Sequence, residues 1–223
     1  MDQSVRLTTQ DGISLAGTYV NAEHPRGWVV LIHMMPSTKE SFAPLAAALA
    51  GAGYASLAID LRGHGASEGG PDGYKTFTDQ DHQRSVLDID AAVAYARTRG
   101  AQDPRIVLIG ASIGANISLQ YLATHPALPA AVLLSPGLEY RGISAKEYVV
   151  MIQKGRGVFI VSSQDDGYNA QEAAELWGLI PEGVIKQKEI YVRAGHGTAM
   201  FEKEPSLIGL IIQFIHNVYA DAA

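Results

Sequence analysis

The chain of 223 residues contains no cysteine. That excludes disulfides, thiol nucleophiles and thiolate metal sites, and with them the small secreted scaffolds held together by cross-links. Nor is there an excess of positive charge. With 17 basic against 23 acidic side chains the net charge is −6, so strong attraction to nucleic acid or to an anionic membrane is not expected. No apolar run is long enough to span a bilayer; the longest, Leu207 to Ile215, is broken by Gly209 and Gln213. The chain has no His-Glu-x-x-His, no Gly-x-x-x-x-Gly-Lys-Ser/Thr and no Gly-x-Gly-x-x-Gly opening a helix, so neither a metal nor a cofactor is expected. Met1-Asp2-Gln3-Ser4 is acidic and polar rather than basic and then apolar, so no secretory signal is expected and the cytoplasm is the expected location. Repeats, low-complexity tracts and linkers are missing too, and residues 1–223 are expected to form one domain whose partners are a small-molecule substrate and water.

What is present is alternation. Val5 to Leu7 and Ile13 to Val20 flank Asp11-Gly12, which reads as a hairpin at a sheet edge. Trp28 to His33, Tyr54 to Ile59, Ile106 to Ile109, Ala131 to Leu134 and Val158 to Val161 are near-continuous apolar runs, the pattern of strands covered by helices on both faces. Glu189 to Val192 is expected to add another strand. Between them lie helical spacings: Phe42, Leu45 and Leu49; Val86, Ile89, Val93 and Ala96; Ile113 to Thr124; Gln171 to Trp177; and Pro205 to Tyr219. Strand and helix in alternation imply an α/β fold with a mostly parallel, twisted sheet of about eight strands, wrapped on both faces, with functional groups gathered at the strands' carboxyl ends.

At one such end stands Gly110-Ala111-Ser112-Ile113-Gly114. A strand that reverses sharply into a helix with serine at the apex is a nucleophile elbow. The turn is so tight that only small side chains fit around it, and Gly110, Ala111, Gly114 and Ala115 are all small. A serine hydroxyl needs a base to take its proton. Of the seven histidines, His196 is the best placed, in Gly195-His196-Gly197 between the last expected strand and the last helix, whereas His82, His125 and His216 sit in or beside helices. The imidazole needs a carboxylate to fix its tautomer. Ser162-Ser163-Gln164-Asp165-Asp166 follows a strand, and Asp165 or Asp166 can serve; two adjacent carboxylates cannot both face one imidazole, so the other is expected to face solvent.

The order serine, aspartate, histidine along the chain, at three strand ends, resembles that of the α/β-hydrolase superfamily. The resemblance extends over the whole chain and is to the small lidless members, the serine carboxylesterases and dienelactone hydrolases. Val29-Val30-Leu31-Ile32-His33-Met34-Met35-Pro36 is similar to the family's strand and His-Gly-x-Pro loop, with Met34 in place of the glycine. Asp60-Leu61-Arg62-Gly63-His64-Gly65-Ala66-Ser67 matches the family's structural Asp-x-Arg-Gly-x-Gly-x-Ser loop, which implies that His64 is not catalytic. The family's acid turn has a glycine three residues before the aspartate; Ser163 stands there, which favours Asp166.

The resemblance implies a catalytic triad of Ser112, Asp166 and His196, with the backbone amides of Met35 and Ile113 as oxyanion hole. It implies a carboxylesterase acting through an acyl-enzyme, with lactone, thioester or peroxyacid-forming chemistry as the alternative and a non-catalytic binding protein as a third reading. The stretch from Leu134 to Val158 is too short for a helical cap domain, so an open site taking short or compact acyl esters is expected. Met34, Leu138, Tyr140 and Tyr168 are candidates for the substrate pocket; the alternatives are loop packing for Met34 and packing around Gly155 to Gly157 for the other three.

Overall fold

The computed structural model describes residues 2–221. In chain order, β1 (Asp2–Thr8) and β2 (Ser14–Val20) pair antiparallel around the Asp11-Gly12 turn. Then come β3 (Trp28–Ile32), α1 (Ala43–Gly51), β4 (Ala55–Ile59), α2 (Asp79–Gln83) and α3 (Val86–Thr98). β5 (Ile106–Ala111), α4 (Ile113–Thr124) and β6 (Ala130–Leu134) follow. A minute hairpin, β7 (Glu139–Tyr140) and β8 (Ile143–Ser144), and the short α5 (Ala145–Val149) lead into β9 (Gly157–Ser163). The chain continues with α6 (Asn169–Leu179), β10 (Ile185–Tyr191), α7 (Met200–Lys203) and α8 (Ser206–Asp221).

Eight strands form one sheet in the order β1-β2-β4-β3-β5-β6-β9-β10, antiparallel through β1, β2 and β4 and parallel thereafter. Side chains alternate across it, as the two-residue period of a strand requires. Val30, Ile32, Leu57, Leu108, Leu133 and Ile160 pack under α3, α4, α5 and α6. Their neighbours Val29, Leu31, Val107, Ile109, Val132 and Phe159 pack under α1, α7 and α8. Every residue of β3, β4, β5, β6 and β9 is buried, which is why their sequences read as unbroken apolar runs.

The register sets where the chemistry can occur. Ile32 lies opposite Gly110, Gly110 opposite Leu133, and Leu133 opposite Ile160. The loops leaving β3, β5, β6 and β9 therefore emerge side by side along one edge.

One expectation needs correction. The last strand is Ile185–Tyr191, not Glu189 to Val192, and Val192 stands 66% exposed beyond it. β10 is an edge strand pairing only with β9, so its residues are half-buried at most and the lysines Lys186 and Lys188 lie over the Trp177 ring at 4.9 and 5.1 Å. Such an edge carries no unbroken apolar run. The Leu134-to-Val158 stretch, read as too short for a cap domain, carries β7, β8 and α5. It raises no cap: Ile143, Ala145, Val149 and Ile152 are buried in the layer of α4 and α6, and the Asn116 amide clamps it by donating to the Gly137 and Ile143 carbonyls at 3.1 and 3.0 Å. No helix among the described residues is long and apolar enough to cross a membrane.

The glycine-rich loop after β4 is a framework, as the resemblance implied. Arg62 binds Asp88 through its backbone N–H and its Nε, both at 2.8 Å, and Asp11 through two guanidinium nitrogens at 2.7 and 3.0 Å. Asp60 accepts from the backbone amides of Lys39 and Ala66 at 2.8 and 2.9 Å. His64 is buried, with its ring stacked on Tyr74 at 4.2 Å.

Candidate active site

Ser112 sits between β5 and α4 with φ 54° and ψ −120°. A serine held there costs on the order of 1–3 kcal/mol and persists only where its surroundings enforce it. They do so sterically. A Cβ on Gly110 would run into the Gly114 carbonyl, and one on Gly114 into the carbonyls of Ile32 and His33. Only a chain without side chains at both positions can bring the start of α4 against the end of β3. The Ser112 amide donates to the Leu134 carbonyl at 2.8 Å, tying the elbow to β6, and its carbonyl accepts from Ala115 and Asn116 as α4 begins. Ser112 is 8% exposed.

His196 and Asp166 meet as expected: Nδ1 of the imidazole lies 2.6 Å from Oδ2 of Asp166. A carboxylate at that nitrogen directs the other ring nitrogen, Nε2, to act as acceptor when the ring is neutral. Ser112 itself makes no hydrogen bond to His196 in this structure; contacts of this kind are commonly longer before substrate binds.

The second carboxylate does more than face solvent. Asp165 does reach solvent, but its Oδ1 accepts from the Ser163 hydroxyl at 2.5 Å and from the Gly195 amide at 3.0 Å. The same Ser163 hydroxyl oxygen accepts from the Ala194 amide at 2.8 Å. The Ser163 hydroxyl first, and the Gly195 amide with it, hold the Asp165 carboxyl below its usual range. So Asp166 holds the imidazole, and Asp165 holds the backbone that carries it.

Two further braces were not foreseen. Ser135, at the end of β6 with φ 50°, accepts from the Gly197 amide through its hydroxyl at 2.9 Å. On the other side Met34 lies against Gly197, close enough that a side chain at 197 would strike its sulfur, and the Thr198 hydroxyl lies 4.0 Å from that sulfur. The bulk that replaces the family's glycine thus packs under the histidine loop. Gly195, His196 and Gly197 are held by Asp165, Asp166, Ser135 and Met34 together.

The loop after β3 is fixed by His33. Its Nδ1 lies 2.8 Å from the Met34 carbonyl, which can only accept, and its Nε2 takes the Leu61 amide proton at 3.0 Å. Both ring nitrogens are thereby committed to the neutral form. Burial, with His64 adjacent, pushes the His33 imidazole down to about 4. Neither the Met35 nor the Ile113 amide donates a hydrogen bond within the chain among the described residues. With Gly114 against the Ile32 and His33 carbonyls, these two amides belong to adjoining loops.

Of the remaining candidates, Tyr140 is half-buried with its ring over Gly137. Burial raises its phenol above the usual range. Leu138 is half-buried in the core layer under the same hairpin, its carbonyl accepting from Ala145. Tyr168 is 78% exposed just ahead of α6 and packs neither in the core nor around Gly155 to Gly157. No group of three or more histidine and acidic side chains among the described residues could hold a metal ion.

Comparison with known proteins gives this geometry its relatives. Residues 23–179 match the Hydrolase_4 family, described as serine aminopeptidase, S33. Among solved structures, DcsB in complex with its substrate analogue aligns with a TM-score of 0.83 at 16% identity, covering 99% of this chain and 100% of that one. The α/β hydrolase GrgF from Penicillium sp. sh18 aligns with a TM-score of 0.82 at 17% identity, covering 99% of each chain. An esterase from Pyrococcus furiosus aligns with a TM-score of 0.75 at 21% identity, covering 97% of this chain and 91% of that one. None of the curated proteins compared with the chain matches it. The structural likenesses show the α/β-hydrolase fold, and the family match spans well over half of the chain: it belongs to the Hydrolase_4 family.

Proposed function

We propose that the protein is a serine hydrolase that cleaves carboxylic esters through an acyl-enzyme on Ser112. The observation that carries this reading is the strained Ser112 on its elbow beside a His196–Asp166 pair at 2.6 Å, both at one sheet edge. His196 Nε2 accepts the Ser112 proton as Oγ attacks the acyl carbonyl, while Asp166 steadies the imidazolium at Nδ1. The amides of Met35 and Ile113 receive the negative charge on the former carbonyl oxygen. The tetrahedral adduct collapses, the alcohol leaves with the proton from His196, and water repeats the sequence to release the acid.

With no cap over the site, short or compact acyl groups fit this reading best, with Met34, Leu138, Tyr140 and Tyr168 as the candidate lining. The family's description as serine aminopeptidase supports a second reading, hydrolysis of an aminoacyl amide by the same residues. A nitrophenyl ester series of increasing acyl length, run beside aminoacyl nitroanilides, separates them. Ester turnover is expected to be highest for short acyl groups and to fall at least about 10⁴-fold in Ser112→Ala. A fluorophosphonate should label the native chain and leave Ser112→Ala unmodified. Turnover retained by Ser112→Ala would overturn the assignment.

A further inference from the structure

A groove of about 820 Å³ opens at the opposite end of the sheet, where β3, β4 and β5 begin. Arg26, Arg99 and Arg105 line it, with His24 and His216, and no acidic side chain does so among the described residues. For a chain of net charge −6 this is a local reversal of sign.

The guanidiniums are held by their faces rather than by their hydrogen bonds. Arg105 lies over the Tyr219 ring at 4.9 Å, and Arg99 over Tyr19 and Tyr95 at 5.3 and 5.2 Å. Arg26 runs along Gly53, to whose carbonyl its backbone amide donates at 2.9 Å. Four arginines elsewhere are bonded: Arg6, Arg62, Arg97 and Arg156 each hold a carboxylate or a backbone carbonyl. No side-chain hydrogen bond or ion pair engages Arg26, Arg99 or Arg105 among the described residues. Asp103, the acidic residue nearest in sequence, is turned away into two bonds with Arg97 at 2.7 and 2.9 Å. Stacking fixes a guanidinium plane and leaves its N–H edge open to an acceptor.

The groove is also built. A side chain on Gly27 would strike the Tyr219 ring, so Tyr219 lies directly on the backbone ahead of β3, and its hydroxyl donates to the Arg105 carbonyl at 2.8 Å. Tyr54 and His216 stand ring to ring at 5.4 Å. His24 is held at φ 50°, the strained region that Ser112 and Ser135 occupy at the other end.

We infer that this groove binds a small molecule carrying two or more phosphates, its oxygens taken by the edges of Arg26, Arg99 and Arg105. Several forks converging on one space suit a polyanion with many oxygens better than a single carboxylate. The volume is that of an ordinary small-molecule site.

Calorimetric titration of the full chain at low salt tests this with ATP and inorganic tripolyphosphate as probes and adenosine as the uncharged control. Both phosphorylated probes are expected to bind, weakening as salt rises, while adenosine does not. Arg26→Gln with Arg105→Gln should weaken binding by at least about tenfold; Arg26→Gln alone should do so in smaller measure. Ser112→Ala and Arg193→Gln should bind as the native chain does, because Arg193 likewise lacks a partner among the described residues but lies outside the groove. Failure of both probes to bind would overturn the inference, as would an equal loss in Arg193→Gln or adenosine binding as tightly as ATP.

Discussion

The two ends of the sheet carry polar groups in opposite ways. At the carboxyl end the groups that hold the loops beside the proposed nucleophile are bonded: His196 by Asp166, Gly195 by Asp165, Gly197 by Ser135, and both nitrogens of His33 by backbone. At the amino end three guanidiniums are stacked on rings or packed on backbone while their donors find no partner among the described residues. A reaction needs few groups in fixed geometry, and bonding them to their surroundings supplies it. Binding of an anion needs open donors, and stacking positions those donors without using them. If that difference is real, substitutions at one end should leave the other's property intact.

The largest expected effect lies between the neighbours Asp165 and Asp166. Asp166→Asn keeps the shape but frees the imidazole to adopt the wrong tautomer, and the esterase reading expects a loss of about 10⁴ in kcat. Asp165→Asn removes a charged acceptor from the Gly195 amide without touching the ring, a loss of roughly tenfold. Equal losses measured with a nitrophenyl ester would dissolve the distinction between the residue that holds the base and the one that holds its loop.

Acid should weaken the carboxyl end through His33. In the unfolded chain this imidazole takes a proton near 6.5, whereas folded it refuses one until about 4. Between those values unfolding takes up a proton, so stability is full above 6.5 and falls as pH drops, by about 1.4 kcal/mol per unit and about 3 kcal/mol in all. Urea unfolding at pH 7 and pH 4.5 measures the slope. Buried Asp88, raised to about 6, opposes this slope, so the His33 contribution is read as the difference from His33→Asn, and an equal profile in that variant would mean that His33 is not confined to its neutral form.

Glycine substitutions sharpen the contrast in packing. Gly114→Ala forces a methyl against the Ile32 and His33 carbonyls and should cost about 1–3 kcal/mol, with esterase activity falling as the loops separate. Gly178→Ala, near the end of α6 with open space around it, should gain about 0.5 kcal/mol. Thermal melting of both variants distinguishes a glycine that close packing requires from one that it does not.

How much of this the sequence disclosed follows from the range of each interaction. Buried strands announce themselves by composition, so β3, β4, β5, β6 and β9 were placed within a residue or two. The elbow was legible because Gly110, Ser112 and Gly114 are local to one another. β10 was misplaced, because an edge strand with lysines on its open face lacks the apolar run. The hairpin of β7 and β8 was missed because two residues per strand show no period. Ser135 acts on Gly197 across the whole second half of the fold, and Arg26, Arg99 and Arg105 come from separate segments. Neither the brace nor the groove leaves any pattern that a reading along the chain could find.

The smallest effect tests the two ends in the same terms. Ser135 and His24 both hold φ 50°, a conformation that glycine adopts without strain. Replacing either by glycine relieves the folded backbone and at the same time frees the unfolded chain, two effects that oppose each other within about 1 kcal/mol. At His24, whose side chain makes no hydrogen bond among the described residues, only these terms operate, and the melting temperature should scarcely move. At Ser135 the substitution also removes the acceptor of the Gly197 amide, which adds a cost of about 1 kcal/mol. The difference between the two variants therefore isolates that hydrogen bond. It should appear again as a several-fold loss of ester turnover in Ser135→Gly that His24→Gly does not share. If both variants melt alike and turn over alike, Ser135 does not brace the histidine loop, and the ordered bonding of the carboxyl end reaches no further than His196 and the two aspartates.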